Sequence, residues 1–176
     1  MKKLSLSAVI VTGLMLMSGS AIAQATSSGT LAVQAELAGT INLTFVSDGS
    51  GVPLGGTGTN AASLDFGTVS QFGNISANVS RVLGSGFMTL STPFDVLVTK
   101  SNDASATYAL SAQLTTAPGV NGWTIDTFPL NATTPTSLTV TGAYASAMAH
   151  SLILNIPNTE VAGTISNVIN FVAIAN

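Results

Sequence analysis

The chain has 176 residues, no cysteine and a formal net charge of −3, and only 6% of its residues are charged against 46% hydrophobic. Disulfides, thiol chemistry and cysteine–zinc sites are therefore excluded. So few Lys and Arg also exclude a phosphate-neutralising nucleic-acid interface and a polybasic membrane patch.

Lys2 and Lys3 are followed by a mostly apolar run from Leu4 to Met17, then by Ser18-Gly-Ser20 and Ala21-Ile-Ala23. A basic start, a short apolar stretch and small residues at a cleavage point predict a cleaved secretory signal peptide over residues 1–23. The run is shorter than the roughly 20 apolar residues of a membrane-spanning helix. Ala23-Gln24-Ala25 offers a second cleavage point. The expectation is export to the periplasm and then the cell surface, with no membrane span after cleavage. Losing Lys2 and Lys3 leaves a net charge of −5, with Arg81 and Lys100 as the basic side chains. Weak charge repulsion favours self-association.

The mature chain reads as an N-terminal extension, residues 24–38, and one domain, residues 39–176. After a polar leader, Leu31, Val33, Ala35 and Leu37 alternate with Ala32, Gln34 and Glu36, which predicts an amphipathic strand. Ala38-Gly39 interrupts it, and Ile41, Leu43 and Phe45 resume the alternation. Residues 47–62, rich in Gly, Ser, Asn and Thr, read as a loop. Short strands are expected around Leu64–Phe66, Ile75–Val79 and Phe87–Leu90, and a stronger one after Pro93 with Phe94, Val96 and Val98 inward. Further strands are predicted at Tyr108–Leu114, Trp123–Thr127, Leu138–Val140 and Leu152–Ile156. The closing segment, Thr164–Ala175, is apolar at successive positions and is expected to be buried on both faces. Ala143–Ala149 would form one helical turn at most. About nine or ten short strands with frequent turn residues predict an all-β, Ig-like β-sandwich of antiparallel strands, with a jelly roll as the alternative.

Catalytic constellations are sparse. His150 is the one histidine and cannot build a multi-histidine metal site. A Ser-His-Asp triad would need it as base, but no G-x-S-x-G elbow is present. The acids Glu36, Asp48, Asp65, Asp95, Asp103, Asp126 and Glu160 are scattered singly. Asp48-Gly-Ser-Gly51 lacks the repeated oxygen ligands of a calcium loop and reads as a turn. Gly55-Gly-Thr-Gly58 is not followed by Lys-Ser/Thr and is no phosphate loop. No enzyme activity, cofactor or metal is expected. Trp123 and Tyr144 are candidates for stacking on a glycan, with core packing as the plainer reading of Trp123. Asn42, Asn74, Asn78 and Asn131 begin sequons that an Asn-, Ser- and Thr-rich chain produces by composition alone.

Three segments carry a resemblance: Thr30-Leu-Ala-Val-Gln-Ala-Glu-Leu37, Gly39-Thr-Ile-Asn-Leu-Thr-Phe-Val-Ser-Asp-Gly-Ser50 and Ala162-Gly-Thr-Ile-Ser-Asn-Val-Ile-Asn-Phe171. The chain resembles the cysteine-free, colonization-factor type of chaperone–usher fimbrial subunit. The three segments correspond to a donor strand, a first strand with its turn, and a closing strand. The penultimate aromatic residue of many such pilins is absent, since the chain ends Ile174-Ala-Asn176. The resemblance implies an Ig-like domain lacking one strand, a periplasmic chaperone and outer-membrane usher as partners, and assembly by donor-strand β-augmentation. It implies that Leu31, Val33, Ala35 and Leu37 are the inserted side chains. The expected function is a non-catalytic structural subunit of a bacterial surface fibre or fimbria. A carbohydrate-binding or adhesive module and an exported Ig-like domain of other role are the alternatives, with a hydrolase using convergent carboxylates last.

Overall fold

A computed structural model of the chain describes residues 32, 34–35, 39–101 and 104–176. The expected signal peptide, and most of the expected N-terminal strand, lie outside the described residues. The chain divides into a unit of residues 1–36 and a unit of residues 37–176, and the strands all belong to the second.

Among the described residues of this unit there are nine strands: β1 (Ile41–Val46), β2 (Ser80–Leu83), β3 (Phe87–Lys100), β4 (Tyr108–Leu114), β5 (Gly122–Ile125), β6 (Phe128–Pro129), β7 (Thr136–Gly142), β8 (Ala147–Pro157) and β9 (Ile169–Ala175). They form two antiparallel sheets, the sandwich expected from the sequence. One has the order β1-β3-β8-β5-β6, with β2 also on β3; the other has the order β7-β4-β9. Period-two alternation sets which side chains meet between the sheets. Leu90, Val96 and Val98 from β3, Leu110 and Leu114 from β4, and Ile125 from β5 are completely or almost completely buried. Each contributes about 1.5–3 kcal/mol by leaving water.

The long strand β3 is the spine. On one side it pairs with β8 from Phe87↔Pro157 to Leu97↔Ala147. Its other side is shared: β1 takes Asp95–Lys100 and β2 takes Met88–Ser91. The sequence predicts two separate strands here, broken at Pro93. The chain instead runs straight through, and the gap between β1 and β2 explains why. The Pro93 carbonyl faces Gly51, which fills that gap. In a strand the N–H and C=O of one residue point the same way, so the donor that proline lacks falls where no strand pairs.

Buried Thr92 holds the gap shut. Its hydroxyl accepts a hydrogen bond from Val52 N–H (2.8 Å) and donates to the Asn78 carbonyl (2.9 Å). Asn78 in turn donates to the Gly51 carbonyl (2.9 Å). The 47–79 excursion is thereby pinned at both ends to one residue. Leu64–Phe66 and Ile75–Val79, expected as short strands, lie within it and are irregular. Their apolar side chains still pack on the core, so alternation there marks burial without a pairing partner.

Replacing Thr92 with Val leaves a buried donor and a buried acceptor unpaired. It is expected to cost about 1–3 kcal/mol, read as a lower urea midpoint, whereas Thr92→Ser retains most of the stability. Equal stability of Thr92→Val and wild type would show that the clip does not hold the excursion.

Candidate functional site: an open groove between two strand edges

A sheet edge exposes unpaired backbone groups, and natural sandwiches blunt their edges. Most edges here are blunted. Strand β6 is two residues long and contains Pro129. Strand β2 is four residues long and carries Arg81, whose guanidinium is tied to the Ser70 and Gly73 carbonyls (2.6 and 2.9 Å). Strand β7 departs from regular register against β4. The edges of β1 and β9 have none of these devices. Ile-Asn-Leu-Thr-Phe-Val and Ile-Asn-Phe-Val-Ala-Ile-Ala contain no charge and no proline.

These two edges flank one groove. Two adjoining depressions of 540 and 660 Å³ run along it. The first is lined mainly by Ile41, Leu43, Phe45, Ile169 and Phe171, the second by Gly39, Ile41 and Ala173–Asn176. The start of β1 therefore lies by the end of β9, so the edges run antiparallel. The Phe45 and Phe171 rings meet edge to face, with centroids 5.1 Å apart, and Phe171 also meets Phe94 at 6.0 Å.

Hydrogen-bond alternation shows what the groove offers. Thr115 N–H donates to the Val168 carbonyl and Asn176 N–H to the Thr107 carbonyl. Even-numbered residues of β9 thus point their backbone at β4, and Ile169, Phe171, Ala173 and Ala175 point theirs into the groove. On β1, Ser101 N–H donates to the Thr40 carbonyl, so Ile41, Leu43 and Phe45 face the groove. Phe45 is already used: its N–H donates to the Thr59 carbonyl (2.8 Å) and its carbonyl accepts from Gly58 N–H (2.7 Å). The site thus combines inward-facing apolar side chains with two rows of backbone donors and acceptors that have no partner among the described residues, and the 58–59 loop closes it at the Phe45 end.

The closing strand departs from expectation. It begins at Ile169, and both its faces are partly or largely open. Val172 is 49% and Ile174 60% exposed. The sheet has only three strands and β9 is its edge, so a segment apolar on both faces lacks the cover its composition suits. Sequence reading does not single out Ile41, Leu43, Phe45, Ile169, Phe171 and Ala173 as site residues. Their signal is present all the same: two strands with no charge anywhere along them.

Of the four side chains expected to insert, Leu31, Val33 and Leu37 lie outside the described residues. Ala35 is exposed and in no strand, like Ala32 and Gln34. Trp123 faces the core from β5, opposite Leu154, and is 8% exposed. Tyr144 follows β7; it is half-buried, donates from its hydroxyl to the Thr107 carbonyl (3.1 Å), and lies under Lys100 Nζ at 5.1 Å. The structure does not bring these two aromatics together as a stacking platform.

His150 is buried on the inner face of β8, where its Nδ1 lies 2.7 Å from Asp126 Oδ2. Asp126 also accepts from Ser151 N–H (2.8 Å). His150 Nε2 is buried without a hydrogen-bond partner, so the nitrogen a general base would use faces the interior, away from any substrate in solution. Asp48 closes a turn by accepting from the Ser50 hydroxyl and N–H; these bonds hold its carboxyl below the usual range. Burial pushes the Tyr108 phenol up. Among the described residues no cluster of three metal-ligating side chains occurs.

Comparison with protein-family models, with curated proteins and with solved structures finds no match to this chain.

In the domain without an occupant in the groove, the amides of Ile169, Phe171 and Ala173 should exchange with deuterium about ten-fold or more faster than those of Asn170, Val172 and Ile174, the difference that about 1.4 kcal/mol of bonding makes. Residue-resolved exchange by NMR reads this. Equal protection of the two sets would mean the β9 edge is already paired.

Proposed function

We propose that this chain is a non-catalytic structural subunit of an exported, surface-attached fibre, assembled by β-augmentation. The open groove between β1 and β9 carries the reading. A sandwich of this size normally pairs, covers or charges its edges, and this one leaves two uncharged edges facing each other across an apolar trough. That arrangement suits an added strand, with main-chain bonds supplying affinity and side-chain pockets supplying specificity. The Leu31–Leu37 segment has the matching character: apolar at every second position and lying just before β1 in the chain. Burial of Leu31, Val33 and Leu37 would contribute about 1.5–3 kcal/mol each.

The same groove accounts for the partners this reading requires. An uncovered trough of this kind is an aggregation hazard during export. A periplasmic chaperone that lends a strand, and an outer-membrane usher that exchanges it for a subunit's own, would meet that hazard. The low charge of the chain is compatible with close packing of subunits.

Gel filtration and negative-stain microscopy of the mature protein, with and without residues 24–38, test the proposal. Fibres or large assemblies are expected from the full mature chain, and a folded monomer from the truncated one. Fibres that persist without residues 24–38, or a full-length chain that stays monomeric at high concentration, would overturn it.

A further inference from the structure

We infer that the outer face of the larger sheet, around Phe87, Thr89 and Asn155, is a binding platform for a neutral glycan. This site needs neither the groove nor residues 24–38, so its fate is separate from that of the fibre function.

Parity sets the face. Met88, Leu90 and Thr92 of β3 point into the sandwich and are buried, so Phe87, Thr89 and Ser91 point outward. On β8 the outward residues opposite them are Pro157, Asn155 and Ile153. Two rungs make the platform. Phe87 opposes Pro157. Thr89 opposes Asn155, with Val82 of β2 on one flank and Gly122 of β5 on the other. Four neighbouring strands give this row a width of about 14 Å.

The first rung supplies an apolar surface in a fixed position. Phe87 is 43% exposed. Its ring lies against Gly84 in the β2–β3 hairpin, where a β-carbon on Gly84 would stand 2.7 Å from the ring's Cζ. Gly84 N–H also donates to the Phe87 carbonyl (2.8 Å). A residue without a side chain is what allows the ring to seat so closely. The ring is thus held without being covered. An aromatic face carries partial negative charge, and the C–H groups along one face of a pyranose are its complement.

The second rung supplies oriented polar groups. The Thr89 hydroxyl donates to Asn155 Oδ1 (2.6 Å). The carboxamide oxygen is thereby engaged, and the amino end remains as a donor. That amino end lies beside Gly122, where a β-carbon would stand 3.5 Å from Nδ2. Glycine therefore leaves open the approach that any side chain would crowd. Asn158, next after Pro157, repeats the pattern: its Oδ1 accepts from Gln71 Nε2 (3.0 Å), which again leaves an amino end as donor. Two amide donors and the Thr89 oxygen beside an exposed ring suit the mixed apolar and hydroxyl faces of a sugar.

Charge selects the class of glycan. Strands β5 and β8 contain no Asp, Glu, Lys or Arg. On β2, Arg81 opposes the buried Leu90 and its guanidinium is tied to the Ser70 and Gly73 carbonyls. On β3, Asp95 and Lys100 lie toward the other end of the strand. Glu160, in the turn after β8, is acidic, and the chain as a whole carries −3. No free cation is therefore on hand among the described residues to hold a sulfate, phosphate or carboxylate. A lipid surface is the competing apolar partner. It would strip water from the Asn155 and Asn158 amides without replacing those hydrogen bonds, whereas sugar hydroxyls replace them.

The platform also stays accessible when the groove is occupied, because groove and platform lie on different faces of the molecule. Weak single sites repeated along a fibre would gain by avidity.

The test passes full mature protein over immobilised neutral oligosaccharides of glucose, mannose, galactose and N-acetylglucosamine. Sialylated and sulfated oligosaccharides and phosphatidylcholine vesicles run alongside. At least one neutral oligosaccharide is expected to retain the protein. Phe87→Ser should weaken that retention about ten-fold or more, while Phe87→Tyr stays within about three-fold. Asn158→Ala, at an exposed position, should also weaken it. Melting temperature and gel filtration check that each variant keeps the fold and the assembly state of the parent. Three outcomes overturn the inference: no retention on any neutral oligosaccharide, retention that Phe87→Ser leaves unchanged, or stronger retention on the anionic glycans. Capture by the vesicles instead, lost in Phe87→Ser, overturns the glycan in favour of a lipid surface.

Discussion

Backbone hydrogen-bonding capacity left open along β1 and β9 is the constraint on which the rest of this molecule turns. Each residue of a strand carries a donor and an acceptor that must find a partner or water. Between its two strands the spine β3–β8 is paired along its whole length, and the split arrangement of β1 and β2 closes most of the other side of β3, because Thr92 and Gly51 fill the gap between them. The unmet capacity is concentrated in the groove, where Ile41, Leu43 and the odd-numbered residues of β9 present their backbone outward. No charge, proline or bulge guards that place. The other edges are short, irregular or tied down by an arginine, so β1 and β9 stand apart from them.

The chemistry of the rest of the domain is in keeping. The single histidine is tied to Asp126 with its other nitrogen inside the sandwich, Trp123 belongs to the core, and Tyr144 supports the turn after β7 beneath Lys100. These polar and aromatic groups, the ones that most invite a reactive or ligand-binding reading, are engaged in holding strands and turns together. Along β1 and β9 the accessible surface is uncharged backbone and side chain.

Much of the fold is legible in the sequence wherever burial falls on one face of a strand. Tyr108–Leu114 reads off its alternation to the residue, and β1 is legible for the same reason. Elsewhere alternation and pairing come apart. Leu64–Phe66 and Ile75–Val79 alternate because they drop side chains onto the core from an irregular path, and alternation cannot say whether a neighbouring strand exists. Pro93 looks like a terminator because the gap that excuses it is formed by residues far away in the chain, around Gly51. For the groove, its two walls are each visible as strands, but their opposition depends on β9 pairing with β4 and β1 with β3, which is topology and leaves no local trace. The doubly apolar β9 is the one hint, and its natural interpretation, burial, is the opposite of what the domain alone displays.

The register of β1 on β3 also has a mechanical meaning. Ile41 through Val46 oppose Lys100 through Asp95 in unbroken antiparallel order, and the segment that would join one subunit to the next enters at the Ile41 end. Tension along that segment pulls β1 lengthwise past β3, loading all the rungs of the ladder at once instead of peeling them one by one. Resistance to such a pull is a matter of unfolding rate more than of equilibrium stability. A domain with no disulfide to carry load would then withstand drag through the direction in which its first strand is laid down.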